Sequence, residues 1–249
     1  MSDSEFSRLL KRIQRAFRSP LPQYQKYQAA LRDKRGIEIG GPSKIFRRDL
    51  PIYKVMRSLD GVNFSAQTVW EGSLSEGQTF EYMKGRRGRQ FIAEGSELQA
   101  IADASYDFLI SCNNLEHLAN PLKALTEWRR VIKPGGHLLL VLPRKESNFD
   151  HRRDVTSFSH LLEDLANGVD ERDLTHLDEI LERHDRALDK GSGDLETFKQ
   201  RSLLNFENRC LHHHVFDAAL IDQMMQHLGM TVLLRTTTHT DSLALARKP

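Results

Sequence analysis

The 249-residue chain sets 36 Lys and Arg against 34 Asp and Glu, for a formal net charge of +2, and 39% of its residues are hydrophobic. That length supports one large domain with its own core, the apolar share excludes a disordered chain, and the near-neutral balance gives no reason to expect a polyanionic partner. Cys112 and Cys210 are the only cysteines, lack the spacing of a zinc knuckle or redox pair, and are expected as reduced thiols. No stretch approaches the ~18 apolar residues of a membrane span and the first residues lack an apolar signal region, so a cytoplasmic protein is expected.

Residues 4–18 place Phe6, Leu9, Leu10, Ile13 and Phe17 on one helical stripe, with arginines and lysines elsewhere. This amphipathic basic helix reads as a lid within an N-terminal helical segment, 1–34. Attachment to a membrane surface or RNA is the other reading. Pro20 and Pro22 end the helix.

From Arg35 onward short apolar runs alternate with helical stretches, the pattern of a parallel sheet with crossover helices, so 35–249 is read as one α/β domain. Strands are expected at 36–39, at the end of 52–64, at 90–93, at 106–111 and at 137–142. The last is apolar throughout and should be buried on both faces. Between the last two strands, Asn120 suits an N-cap and Pro121 the first turn. Leu122, Leu125, Trp128, Val131 and Ile132 form the stripe, and Lys133, Pro134, Gly135 and Gly136 stop the helix. A second helix is expected over 217–228, with Gly229 as its stop. Residues 230–234 and 242–246 can then close the sheet as a hairpin. Residues 144–209 break the alternation and read as a helical insertion on the substrate side. The basic run of Lys84, Arg86, Arg87 and Arg89 reads as a solvated turn, with phosphate contact as the other use.

The run YDFLISCNNLEHLANPLKALTEWRRVIKPGGHLLLVLP, residues 106–143, resembles the fourth strand, following helix and fifth strand of class I methyltransferases that use S-adenosyl-L-methionine (SAM). The likeness is to the broad group containing many small-molecule enzymes, and its Leu115, Glu116, His117 and Lys133 to Gly136 elements keep the expected order. GIEIGGPS, residues 36–43, resembles the first strand and cofactor loop, and 214–248 the closing helix and hairpin. The resemblance implies a Rossmann-like doubly wound sheet, mostly parallel with a C-terminal antiparallel hairpin, and SAM as cofactor. Ligands of such sheets sit beyond the carboxyl ends of the strands near the switch in strand order, where Gly40, Gly41, Asn63, Glu94 and Asn113 converge.

By this resemblance Glu38 lies near the cofactor's amino-acid end, and Gly40, Gly41, Pro42 and Ser43 form its loop. Asn63 takes the place of the ribose-binding acid, with Asp60 in reserve, and Glu94, Gly95 and Ser96 read the adenine. The loop departs from the family's Gly-x-Gly-x-Gly, because Pro42 and Lys44 occupy the second and third glycine positions. Pro42 donates no backbone hydrogen bond, so the cofactor's contacts there must be rearranged.

A hydroxyl acceptor would be helped by a base, and histidine is the usual choice at neutral pH. Asp150 and His151 just past the fifth strand, and His213 and His214 before the closing helix, are the candidates. If His212, His213 and His214 are extended, His213 points away from the other two. Imidazole and carboxylate are competent metal ligands, yet transfer from SAM does not need a metal and none is expected. The leading expectation is methyl transfer to an oxygen, secondarily a nitrogen, of a small molecule or saccharide. A catalytically inactive scaffold and a nucleic-acid methyltransferase are the alternatives, with nucleic acid not expected as a partner.

Overall fold

The structure, a computed structural model, describes residues 20–249, and the basic amphipathic stretch 4–18 lies outside them. Helix α1 (Tyr24–Leu31) buries Tyr27 and Leu31, and the Tyr27 hydroxyl donates to Thr236 at 2.9 Å. Strand β1 (Arg35–Ile39) is followed by β2 (Ser58–Asn63), the small β3 (Gln67–Thr68) and β4 (Gly72–Ser73), β5 (Gly77–Met83), β6 (Arg86–Ile92) and β7 (Tyr106–Cys112). Helix α2 (Pro121–Val131) leads into β8 (Ile132–Pro143).

Four helices then intervene, α3 (Phe158–Asn167), α4 (Leu177–Arg183), α5 (Leu195–Leu203) and α6 (Asn205–Asn208). Helix α7 (Ala218–His227), β9 (Thr231–Thr237) and β10 (Asp241–Arg247) complete the chain.

Eight strands hydrogen-bond in the order β5-β6-β2-β1-β7-β8-β10-β9. The run from β6 to β8 is parallel, and β5, β10 and β9 pair antiparallel to their neighbours. The order therefore reverses between β1 and β7, which opens a crevice above the carboxyl ends of those strands.

Both sheet faces are apolar, as a sheet with cover on each side requires. On one, Ile37, Leu109 and Leu140 pack against Leu125 and Trp128 of α2 and Met224 of α7. On the other, Phe108, Ile110 and Val141 pack with Tyr27, Phe46 and Tyr53.

The helix α2 forms for the reasons its sequence suggests. Asn120 Oδ1 accepts from the Lys123 amide at 3.0 Å, and Pro121 fills the first turn. Its far end differs from expectation: the chain passes from Val131 directly into β8, so the Lys-Pro-Gly-Gly stretch belongs to the strand. The ladder absorbs this through a register irregularity between Tyr106 and Phe108, with Gly135 at φ +74°.

The basic run is a turn with Lys84, Arg87 and Arg89 exposed, as expected, while Arg86 is tied into the fold. Gly85, at φ +75°, turns the β5–β6 hairpin, and Arg86 donates to the carbonyls of Tyr53 at 3.0 Å and Arg57 at 2.9 Å. Arg87 pairs with Glu81 and Arg89 lies over Phe91.

Gly36 is where β1 lets the Phe108 ring lie flat on the sheet: a methyl group there would sit 1.9 Å from that fully buried ring. Gly36→Ala is expected to lower the unfolding free energy by about 1–3 kcal/mol. The urea midpoint reads it, and an unchanged midpoint would contradict this packing.

Candidate active site

A cavity of about 290 Å³ opens above the strand switch. Its walls are the loop after β1 (Gly40 to Lys44), Asn63 and Phe64 after β2, Glu94 and Gly95 after β6, and Asn113 and Asn114 after β7. Trp70 from the β3–β4 hairpin, His117 and Arg209 complete it.

The glycine loop holds its shape through a carboxyl placed behind it. Gly40 and Gly41 take φ of +76° and +84°, a region that favours glycine. A Cβ on Gly41 would meet Glu38 Oε1 at 2.4 Å. Glu38 points to the opposite sheet face from Ile37 and Ile39. It is fully buried and accepts hydrogen bonds from the Ser43 amide at 3.0 Å, the Ser43 hydroxyl at 2.6 Å and the Tyr53 hydroxyl at 2.6 Å. Burial pushes its pKa up to about 7 against the opposing pull of those bonds.

Glu38 is thus not on the cavity wall, contrary to the place the sequence suggests. Both Ser43 donors turn back toward it and the Gly40 amide donates to Val62 O at 2.9 Å, so of residues 40–43 the Gly41 amide is the donor left for the cavity.

Asn63 donates to Gly41 O at 3.3 Å, which leaves its carbonyl oxygen free to accept. Asp60, the reserve residue, is committed elsewhere: it accepts from Arg35 at 3.0 Å, Tyr106 at 2.8 Å and the Arg89 amide at 2.8 Å. Glu94 pairs with Arg209 at 2.5 Å, and Arg209 also pairs with Glu171 at 2.9 Å. Burial raises Glu94, with Arg209 opposing. Gly95 O accepts from the Trp128 indole at 2.8 Å, and Ser96 lies off the cavity, buried beside α2. Asn113 is on the wall with φ +47°.

The ionisable groups at the other end form a chain leading inward. His117 reaches the cavity, with Nδ1 3.0 Å from Leu211 O. His212 stands edge-on to it, the ring centroids 4.6 Å apart at 79°. Behind His212, Asp150 Oδ2 lies 2.5 Å from its Nδ1, and the buried Arg153 donates to Asp150 Oδ1 at 3.0 Å and to His212 O at 2.7 Å.

Burial would raise Asp150, but His212 and Arg153 hold it at about 2. Burial works against charge on His212, yet Asp150 raises it. His117 is lowered to about 3, by burial first and by His212 second. Glu116, fully buried with neither carboxylate oxygen bonded, is pushed up to about 7 by burial.

Of the catalytic candidates read from sequence, only Asp150 is connected to the cavity, and that through His212 and His117. His151 is at the surface against Asp185 at 2.9 Å. His213 is buried with Nε2 3.0 Å from the Asn205 amide nitrogen, and His214 is buried with Nε2 3.1 Å from Ala119 O. The three consecutive histidines thus serve three different neighbourhoods. His117 was present in the Leu-Glu-His element after the fourth strand, and that element was the available signal. Among the described residues two groups hold ligand atoms within 4.8 Å of one another: Glu116, His117 and His212, and His160, His176 and His214.

Residues 56–140 match the family model of a methyltransferase domain. No curated protein matches the chain. Its fold is similar to that of a SAM-dependent methyltransferase from Mesorhizobium loti, with TM-score 0.52 and 12% identity over 91% of this chain and 96% of that one. A candidate methyltransferase from Bacillus halodurans C-125 gives 0.52 at 10% identity, over 91% and 97%. The 1,6-didemethyltoxoflavin-N1-methyltransferase of Burkholderia thailandensis, with bound 1,6-didemethyltoxoflavin and S-adenosylhomocysteine, gives 0.49 at 11%, over 90% and 77%. At these identities the likeness concerns the fold.

The matched methyltransferase domain and the fold together indicate a SAM-dependent methyltransferase. The cavity's chemistry fits the cofactor. Glu94 Oε2 and Asn114 Oδ1 are buried acceptors on its wall with no hydrogen-bond partner, and SAM carries an ammonium, ribose hydroxyls and an adenine amino group to donate. Among the described residues no helix is long and apolar enough to cross a membrane.

His117 titrates from 6.5 in the unfolded chain to about 3 in the folded one. Below the higher value the unfolded chain takes up a proton that the folded protein refuses. This group's contribution is therefore complete above it and declines as pH falls toward the lower value. His117→Gln is expected to lose less stability than wild type between about pH 7 and about pH 4.5, measured by urea unfolding at both. An equal loss would contradict a neutral buried His117.

Proposed function

We propose that this methyltransferase methylates an oxygen of a small hydroxylated molecule, saccharides included, seated in the cavity against Trp70 and His117. The observation that carries the reading is a neutral imidazole on the cavity wall, backed by the His212–Asp150 pair, on the side where Asn113 and Asn114 end β7. Trp70 is 51% exposed with its ring 5.2 Å from His117, so it offers an apolar face at the mouth beside a polar group.

SAM supplies a methyl group already activated on sulfur for in-line displacement. The chain's task is alignment and proton handling. His117 carries a free lone pair at neutral pH because burial and His212 keep it unprotonated. It accepts a hydrogen bond from the acceptor hydroxyl and thereby points an oxygen lone pair into the cavity. As the oxygen gains its new bond its proton becomes strongly acidic, so even a weakly basic imidazole can take it. Asp150, held by Arg153, fixes the His212 ring against which His117 packs.

Arg86 is spent on the carbonyls of Tyr53 and Arg57 and Arg87 pairs with Glu81, which favours a small molecule over a nucleic acid as the substrate.

The test uses labelled SAM with parallel panels of hydroxylated and amino-bearing small molecules, followed by product mass and linkage. Methyl ethers are expected, and turnover confined to amines would overturn the reading. With an accepted substrate, His117→Ala is expected to lower kcat by about 100-fold or more, with KM for SAM little changed. A near-normal kcat would show that His117 does not handle the proton.

A further inference from the structure

The second histidine group lies away from the cavity wall, where α3, the turn before α4 and the extended segment before α7 meet. His160 and Asp164 are four residues apart on α3 and so share one face. His176 precedes α4, and His214 comes from the segment that also carries His212. His160 Nε2 is 3.0 Å from His176 Nε2. Asp164 Oδ2 is 3.5 Å from His160 Nε2 and 3.5 Å from His214 Nε2.

These three separations lie near the roughly 3.4 Å at which bonds of about 2.1 Å to a tetrahedral ion place its donors, and the ligand atoms of His160, His176 and His214 all lie within 4.8 Å of one another. The rings are splayed as such a set requires. Their centroids are 4.9, 5.7 and 5.3 Å apart and their planes meet at 83°, 61° and 78°, so each pair stands edge-on. Hydrogen bonding alone accounts for less of this. Asp164 Oδ2 is buried, its side chain only 10% exposed, and accepts no hydrogen bond. The His160–His176 contact can use one proton and leaves that carboxylate oxygen without a donor.

We infer that His160, Asp164, His176 and His214 form a binding site for one divalent transition-metal ion of the zinc class. Three imidazoles and one carboxylate are borderline donors that suit such an ion and give it a closed coordination shell. His214 Nε2 exchanges its contact with Ala119 O for the coordinate bond. The ion joins the helical cover, through α3 and the turn before α4, to the segment that delivers His212 toward the cavity. Its role is structural, since the four protein donors leave no position for substrate. The proposal stands on these four residues and does not depend on the nature of the methyl acceptor.

The full-length protein is stripped with chelator and titrated with Zn²⁺, and separately with Co²⁺, whose visible d–d absorption is intense only in a tetrahedral field. One equivalent per chain with micromolar or tighter affinity, tetrahedral Co²⁺ bands and a raised melting temperature are expected. His160→Gln and Asp164→Asn, both near-isosteric changes, should each weaken binding by about 100-fold or more while far-UV circular dichroism stays native. His212→Gln, in the other cluster, should leave binding unchanged. Absence of stoichiometric binding overturns the proposal, as do octahedral Co²⁺ spectra or affinity retained in folded His160→Gln and Asp164→Asn. Loss of binding in His212→Gln alone moves the ion to the other cluster and equally overturns it.

Discussion

A single buried carboxyl governs the cofactor side of this protein. Glu38 projects from β1 into the core on the side of Tyr53, where an unbonded carboxyl would be costly. The donors that satisfy it come from Tyr53 and from both the amide and hydroxyl of Ser43. Meeting that requirement bends the chain back through Gly40 and Gly41 in left-handed conformation, and the bend leaves the cavity open above. Pro42 can replace the usual glycine because the loop is held from behind, by Ser43 and Glu38, and its own amide is not needed. The acceptors left unpaired on the wall, Glu94 Oε2 and Asn114 Oδ1, then meet a ligand rich in donors.

The acceptor side rests on a second buried arrangement, in which Arg153 neutralises Asp150 and binds the backbone of His212 and His213. Asp150 is thereby kept ionised and favours a proton on His212. His117, one ring further out, stays neutral and faces the cavity. Polarity falls from the interior toward the reacting position, which suits a reaction that needs alignment more than acid or base strength.

Features set by local chemistry were legible in the sequence. Asn120 and Pro121 announce α2, Asp217 and Gly229 bracket α7, and the apolar run after Gly136 could only be a strand with both faces covered. The β5–β6 hairpin was not legible. Its inward alternation is carried by Phe80 and Tyr82 alone, and of the arginines that follow Arg87 and Arg89 are exposed while Arg86 is held by carbonyls across the fold. The cavity-lining set was partly legible, since Gly40, Gly41, Asn63, Glu94 and Asn113 all stand at strand ends. Glu38 and Ser96 departed from it because strand alternation and packing beside α2 turn them from the wall.

The histidines mark the limit of one-dimensional reading. His212, His213 and His214 are adjacent in the chain but face Asp150, Asn205 and the His160–His176 pair respectively. His117, nearly a hundred residues earlier, is the one that meets the cavity.

The central claim is that Glu38 shapes the cofactor loop without touching the cofactor. Calorimetric titration of S-adenosylhomocysteine into wild type and Glu38→Ala tests it most directly. Binding in the variant should weaken by about tenfold or more, or about 1.4 kcal/mol, with the protein still folded. Equal affinity in a folded variant would contradict the account.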